Sequence, residues 1–262
     1  MKKGIDVSFA QGNVNWSAVK NNVDFAIMRV GFGREVSQTD SQFANNYTGC
    51  KSNGIPVGAY WYSYAESVED AVLEAKACLE ALKGKTFDYP IFYDMEEQSQ
   101  KEKGKEFCTA VANAFLSTVE KAGYWVGLYA SKSFLENYID VAVRKRYAVW
   151  LAHYATSTTY KDGYGMWQWC DNGNIDGIEG NVDLDHCYID YPTLIKQRGL
   201  NGFAKSTAPP VQSQKPITYT VQWGDTLSRI ARNNNTTVQK LCQLNGITNP
   251  DKIYAGKVLI IK

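Results

Sequence analysis

Short apolar runs alternate with helix-patterned stretches through the first half of this chain, and no other feature narrows its possible folds as much. Gly4–Ser8, Phe25–Gly31, Ile55–Tyr62, Pro90–Tyr93 and Tyr124–Tyr129 read as buried strands. Between them lie stretches with apolar residues at helical spacing: Trp16–Asn22 behind a capping Asn15, Phe43/Tyr47/Cys50, Ala71/Ala75/Cys78/Leu82 and Phe107/Val111/Phe115/Val119. Ser67 and Asp70 have capping-box spacing, and Gly54, Gly84 and Gly123 stand where helices stop. A helix over about Lys132–Tyr138 follows the fifth strand. Strand–helix alternation on this scale predicts a parallel sheet with helices packed outside it. After residue 147 the pattern changes. Tyr147–His153, Gly165–Trp169 and Asn181–Asp185 read as strands joined only by Gly-, Asn- and Asp-rich loops. Five βα units and three plain strands predict an α/β fold, an irregular eight-stranded (β/α)-type barrel.

The strand Pro90–Tyr93 runs straight into acid, at Asp94 and Glu96. Side chains alternate along a strand, so i and i+2 share a face, with Cα atoms about 6–7 Å apart. Two carboxyl groups at that range, against apolar residues such as Ile91 and Phe92, separate into a proton holder and an anion. That division of labour suits cleavage of a glycosidic bond. Taken alone, Asp-x-Glu also describes a strand end carrying two solvated acids. The barrel expectation adds weight, because barrel sites gather at the carboxyl ends of strands. Asp6, Tyr62, Asp94, Glu96, Tyr129, His153, Trp167 and Asp183 all fall near expected strand ends, so one pocket shared by all eight is expected.

Other chemistries fit less well. Two histidines, His153 and His186, are too few for a three-His metal site, and no CxxC spacing occurs among the six cysteines, so no metal or cofactor is expected. The cysteines on apolar helix faces read as free buried thiols. Net charge is close to zero, which carries no nucleic-acid signature. The balance conceals a basic tail: residues 217–262 hold six Lys/Arg and two acids, while residues 1–199 are net acidic. Such a tail suits an anionic surface or is simply a solvated basic face. The start, Met-Lys-Lys-Gly-Ile-Asp, enters a strand at once, so a signal peptide is not expected, and no apolar run is long enough to span a membrane.

Residues 201–216 are polar and Pro-containing and read as a linker between a body at 1–200 and a module at 217–262. In the module, Tyr219–Gln222 reads as a strand, Leu227–Asn233 as a helix capped by Asp225 or Thr226, Val238–Leu244 as a second helix ended by Gly246, and Val258–Ile261 as a closing strand.

Two resemblances follow from these motifs. Tyr219-Thr-Val-x-x-Gly-Asp-Thr-Leu-Ser-x-Ile-Ala231, Leu244-Asn-Gly-Ile247, Asn249-Pro250, Ile253-Tyr254 and Gly256-Lys-Val-Leu-Ile260 resemble the LysM module, a βααβ fold that binds N-acetylglucosamine-containing glycans. The resemblance implies glycan contacts at Gly224, Asp225, Thr226, Leu227, Asn249, Pro250 and Ile253. Gly4-Ile-Asp-Val-Ser8, Tyr93-Asp-Met-Glu96, Trp150-Leu-Ala-His-Tyr154, and Trp167-Gln-Trp169 with Gly177–Asp185 resemble the family-25 glycoside hydrolases, lysozymes that cut bacterial peptidoglycan. The implied roles are Glu96 as general acid, Asp94 as its partner carboxylate, Asp6 and Asp183 completing an acidic ring, and Tyr62 as a substrate contact. Retention of configuration is implied, with Asp94 either attacking the sugar or orienting its acetamido group. The chain departs from the family at Gly58–Tyr64, where many members have a shorter Tyr-His-Phe segment, and Asp185 stands where Asn is common. The expected partner is bacterial peptidoglycan, met at the cell wall either by phage-type release or after export. A chitin-cleaving enzyme and a non-catalytic wall-binding protein are the competing readings.

Overall fold

In the computed structural model, residues 1–205, 217–247 and 249–261 are described. They form two compact units, Met1–Ser206 and Thr207–Lys262. The first is a closed barrel whose eight strands neighbour one another in chain order. These are β1 (Lys2–Val7), β2 (Phe25–Phe32), β3 (Val57–Tyr62), β4 (Ile91–Asp94), β5 (Val126–Ser131), β6 (Ala148–Ala152), β7 (Met166–Gly173) and β8 (Val182–Cys187). The helices around it are α1 (Trp16–Val19), α2 (Phe43–Ser52), α3 (Val68–Leu82), α4 (Gln98–Glu102), α5 (Gly104–Lys121), α6 (Lys132–Tyr138), α7 (Val141–Arg146) and α8 (Tyr191–Arg198). Three of these, α4, α7 and α8, are not among the helices expected from the sequence.

Strands β1 to β7 run parallel, whereas β8 is antiparallel to both β7 and β1. The reason is the connection. Only eight residues, including Gly177 and Gly180 at positive φ, join β7 to β8. A parallel return needs a crossover of a dozen residues or more. The irregular final third expected of the barrel is therefore a reversed strand.

Alternation divides each strand between two cores. Outward residues such as Val30, Trp61, Tyr93, Leu128 and Leu151 pack under the helices with Ala75, Cys78, Phe115 and Leu135. Inward residues form a separate cluster of Phe25, Ile27, Tyr60, Phe92, Tyr129, Trp150 and Met166. Glycine makes room for it: a Cβ on Gly4 would lie 2.3 Å from the Phe25 ring, and one on Gly127 would lie 2.4 Å from Phe92. Helix α3 begins at Ser67, whose hydroxyl takes the Asp70 amide. The return arm of the expected box reaches Glu66 instead, whose amide donates to Asp70. Asn15 makes no capping bond with its side chain, which accepts instead from the Ser17 hydroxyl.

The second unit is a βααβ module. Strands β9 (Thr218–Thr220) and β10 (Val258–Ile260) pair antiparallel, and α9 (Leu227–Asn233) and α10 (Val238–Asn245) lie between them in sequence. Val221, Leu227, Ile230, Leu241, Leu259 and Ile261 form its own buried core. All six cysteines are free, and Cys50, Cys78, Cys108 and Cys187 are buried. The expected linker lies largely outside the described residues.

Candidate active site

The inward positions change character along the barrel axis. Trp150 forms an aromatic floor with Tyr60, Phe92 and Tyr129, at ring separations of 6.0, 5.1 and 4.5 Å. Above that floor the inward residues become acidic. Asp6 on β1 pairs directly across from Asp183 on β8, and one step deeper Gly4 pairs with Asp185. Asp94 closes β4, in register with Tyr62 on β3 and Tyr129 on β5. The strand ends there, so Glu96 stands on the following loop. Met95 between them is fully buried in the outer core, which keeps Glu96 in the inward phase.

Asp183 reaches this rim from the opposite end of its strand to the one expected. It lies near the amino end of β8, and the reversal of that strand brings it beside Asp6. Trp167 is the other correction. It is the second residue of β7 and faces the outer core, where its indole donates to the His153 carbonyl at 2.9 Å. The inward residue there is Gln168, which the sequence reading passed over. Its Nε2 donates to Asp6 Oδ2 at 2.8 Å, and its Oε1 accepts from the Tyr129 and Tyr154 hydroxyls at 2.7 and 3.0 Å. The glutamine between two tryptophans was visible, but only the phase of β7 says which of the three points inward. Tyr62 donates to Glu97 at 2.7 Å, another acid the sequence reading did not assign. Glu96, His153 and Tyr154 line a pocket of about 480 Å³ with Ser131, Lys132 and Asn137.

Burial dominates the electrostatics. It raises Asp94, which is 4 % exposed, and the charge of Glu96 raises it further, while Arg29 pulls it back. Burial also raises Glu96, against Lys101. Asp6 is raised by burial and by Asp185 and Asp183. Burial takes Asp183 to about 6, with Asp171 and Glu96 adding to it, and takes Asp185 to about 8 against the hydrogen bond from Trp150. The acids therefore sense one another across the rim: Glu96 acts on both Asp94 and Asp183, and Asp183 on Asp6. Crowding was expected to hold the proton on Glu96. Both members of the pair are raised, Glu96 by burial first with Glu97 adding to it, and Asp94 by burial and then by the charge of Glu96. Asp94 Oδ1 and Asp185 Oδ2 are buried without a hydrogen-bond partner among the described residues.

The module's expected contacts are unevenly placed. Leu227 is 2 % exposed in the module core, so its side chain is not free to meet a glycan. The Asp225 carboxylate is occupied by the Tyr219 hydroxyl, the Gln222 amide and Arg229, which together lower it to about 2, with the Arg229 bond leading. Thr226 caps α9, and Gly224 turns at φ +82°. Asn249 and Pro250 are exposed, and Ile253 is half-buried. Trp223, not assigned from sequence, is 94 % exposed beside Gly224. Among the described residues no cluster of three or more His, Cys, Asp or Glu has the geometry to hold a metal, and no helix is long and apolar enough to cross a membrane.

An eight-stranded barrel whose rim gathers acids over an aromatic floor has the paired carboxyl groups that glycoside hydrolysis uses. Residues 5–178 match the profile of Glycosyl hydrolases family 25, and the chain belongs to that family. Residues 219–262 match the LysM domain. Among relatives, the uncharacterized protein YegX of Escherichia coli O157:H7 is 31 % identical over 193 residues, covering 70 % of this chain and 68 % of YegX. The autolytic lysozyme of Clostridium acetobutylicum is 29 % identical over 187 residues, covering 70 % and 55 %. The solved structure of the modular autolysin LytC from Streptococcus pneumoniae superposes with a TM-score of 0.65 at 30 % identity. That match covers 71 % of this chain but 46 % of LytC, so this chain spans about half the length of the autolysin.

Proposed function

We propose that this chain is a lysozyme-type peptidoglycan hydrolase, cutting between N-acetylmuramic acid and N-acetylglucosamine and carried to the wall by its LysM module. The observation that carries the reading is the meeting of Asp6, Asp94, Glu96 and Asp183 at one rim, with all four pKa values raised. Glu96 is the general acid. It is the less buried member of its pair and lines an open pocket, so it can reach the leaving sugar oxygen. Sugar binding displaces water from Glu96 and raises its carboxyl further.

Gln168 supports that assignment. Its amide nitrogen faces Asp6, so its oxygen faces Tyr129 and takes that hydroxyl's one hydrogen. Tyr129 is also the hydrogen-bonding neighbour of Glu96, and a hydrogen donated there would lower that carboxyl. With its hydrogen committed, it offers Glu96 an acceptor, which favours the protonated acid. Asp94 orients the substrate's acetamido group, and that group attacks the anomeric carbon with retention. Asp6 and Asp183 hold the rim's negative potential. Tyr62, Tyr129 and His153 are substrate-side contacts. In the module, Asn249, Pro250 and Ile253, with the backbone of residues 224–227, grip the glycan.

Mass spectrometry of digested bacterial walls tests the reaction: new reducing ends should fall on muramic acid. Ends on N-acetylglucosamine, or release from chitin oligomers alone, would reject the muramidase assignment. NMR of the first-formed product should show the retained anomer, and a substrate lacking the acetamido group should not be cut.

A further inference from the structure

Besides Tyr154, two large aromatic side chains near the acidic rim are exposed although the domain buries most of its rings: Phe9 at 56 % and Tyr64 at 52 %. Neither is loosely held. The Phe9 amide donates to Asp40 Oδ2 at 3.0 Å, and Ser8 and Gln11 form a capping box around the short turn that starts at Phe9. Arg29, bonded to the same Asp40 oxygen at 2.7 Å, lies with its guanidinium 4.7 Å from the Phe9 ring centre and 5.8 Å from that of Phe32. Phe32 meets Tyr64 edge-on at 5.9 Å, and Tyr64 lies 4.9 Å from Tyr62. The Tyr64 amide donates to Glu74, a fully buried carboxylate that also accepts from Tyr93 on β4. The result is a continuous ledge, Phe9–Arg29–Phe32–Tyr64–Tyr62, anchored from beneath at both ends. It joins the acids directly, since Arg29 is the cation that acts on Asp94 and Tyr62 is the register partner of Asp94.

Exposed rings cost solvation unless something covers them, and rigid anchoring removes the entropy penalty of ordering them on binding. Pyranose rings present C–H faces of matching size. We infer that this ledge, on the β1–β3 side of the rim, is a distal subsite that stacks sugars of the same glycan strand beyond those flanking the cut. The inference rests on the proposed hydrolase reading and deepens it, since the ledge would make the enzyme favour long strands over short ones.

The test uses the full chain, tail included, so that any contribution of the module cancels between variants. Phe9→Ala, Tyr64→Ala and Tyr64→Phe are compared with the parent on a peptidoglycan tetrasaccharide and octasaccharide. Both alanine variants should lower kcat/KM on the octasaccharide about tenfold through KM, as expected for losing one stacked ring, and leave the tetrasaccharide unchanged. Tyr64→Phe keeps the ring and should match the parent on both. Equal losses at the two lengths, or none at either, would overturn the ledge. Glu96→Gln is run alongside. Full activity in that variant would sink the hydrolase reading itself, whereas an inactive Glu96→Gln with no length effect at Phe9 would sink the ledge alone.

Discussion

Gln168 Nε2 lies 2.8 Å from Asp6 Oδ2, which orients the amide so that its oxygen receives the Tyr129 hydroxyl at 2.7 Å. Gln168→Met keeps the length and removes both contacts together with the one from the Tyr154 hydroxyl. Tyr129 is then free to donate to Glu96 and stabilise its anion. The alkaline limb of the pH–rate profile should move to lower pH, with kcat falling about tenfold near neutrality. An unshifted limb with only a uniform loss of rate would assign Gln168 a purely structural role.

Glu96→Gln removes the proton donor while keeping shape and hydrogen-bonding capacity. Wall-clearing rate should fall by roughly 10²–10⁴-fold. Asp94→Asn should fall comparably, because a neutral amide cannot orient or stabilise the developing cation. Turbidity assays, with circular dichroism to establish folding, decide both.

Asp185 is 1 % exposed and is raised by burial from 3.8 to about 8. The folded protein thus keeps a proton that the unfolded chain has already released. The associated stability is fully present below about pH 4 and is lost as pH rises through about 8. Asp185→Asn stays neutral and can still accept the Trp150 indole, bonded here at 2.7 Å. The variant should be indistinguishable from the parent near pH 4 and more stable by several kcal/mol at alkaline pH. Denaturant midpoints across that range measure it. A constant difference at all pH values would contradict the assignment.

The two units have separate cores, so removing residues 217–262 should leave the barrel folded. Activity on soluble muropeptides should be unchanged while whole-wall lysis falls, since tethering a weak binder raises local substrate concentration to about mM. Equal lysis of whole walls by both forms would refute a targeting role.

Much of this was legible in the chain because it is local. The runs at Phe25–Phe32 and Val126–Ser131 are strands since residues buried on both faces must be apolar throughout, and Ser67 or Thr226 starts a helix by satisfying amides a turn away. The acids Asp6, Asp94, Glu96 and Asp183 could be named from their motifs for the same reason. Which of them hold protons could not, because that depends on Trp150 and its neighbouring rings lying beneath them and on charges brought together from distant strands. Closure of the barrel with β8 reversed decided the rest. It set Asp183 opposite Asp6, turned Trp167 outward and Gln168 inward, and buried Asp185. Side-chain phase on a strand and burial in a low-dielectric interior are properties of the closed sheet, and no segment of the sequence contains them alone.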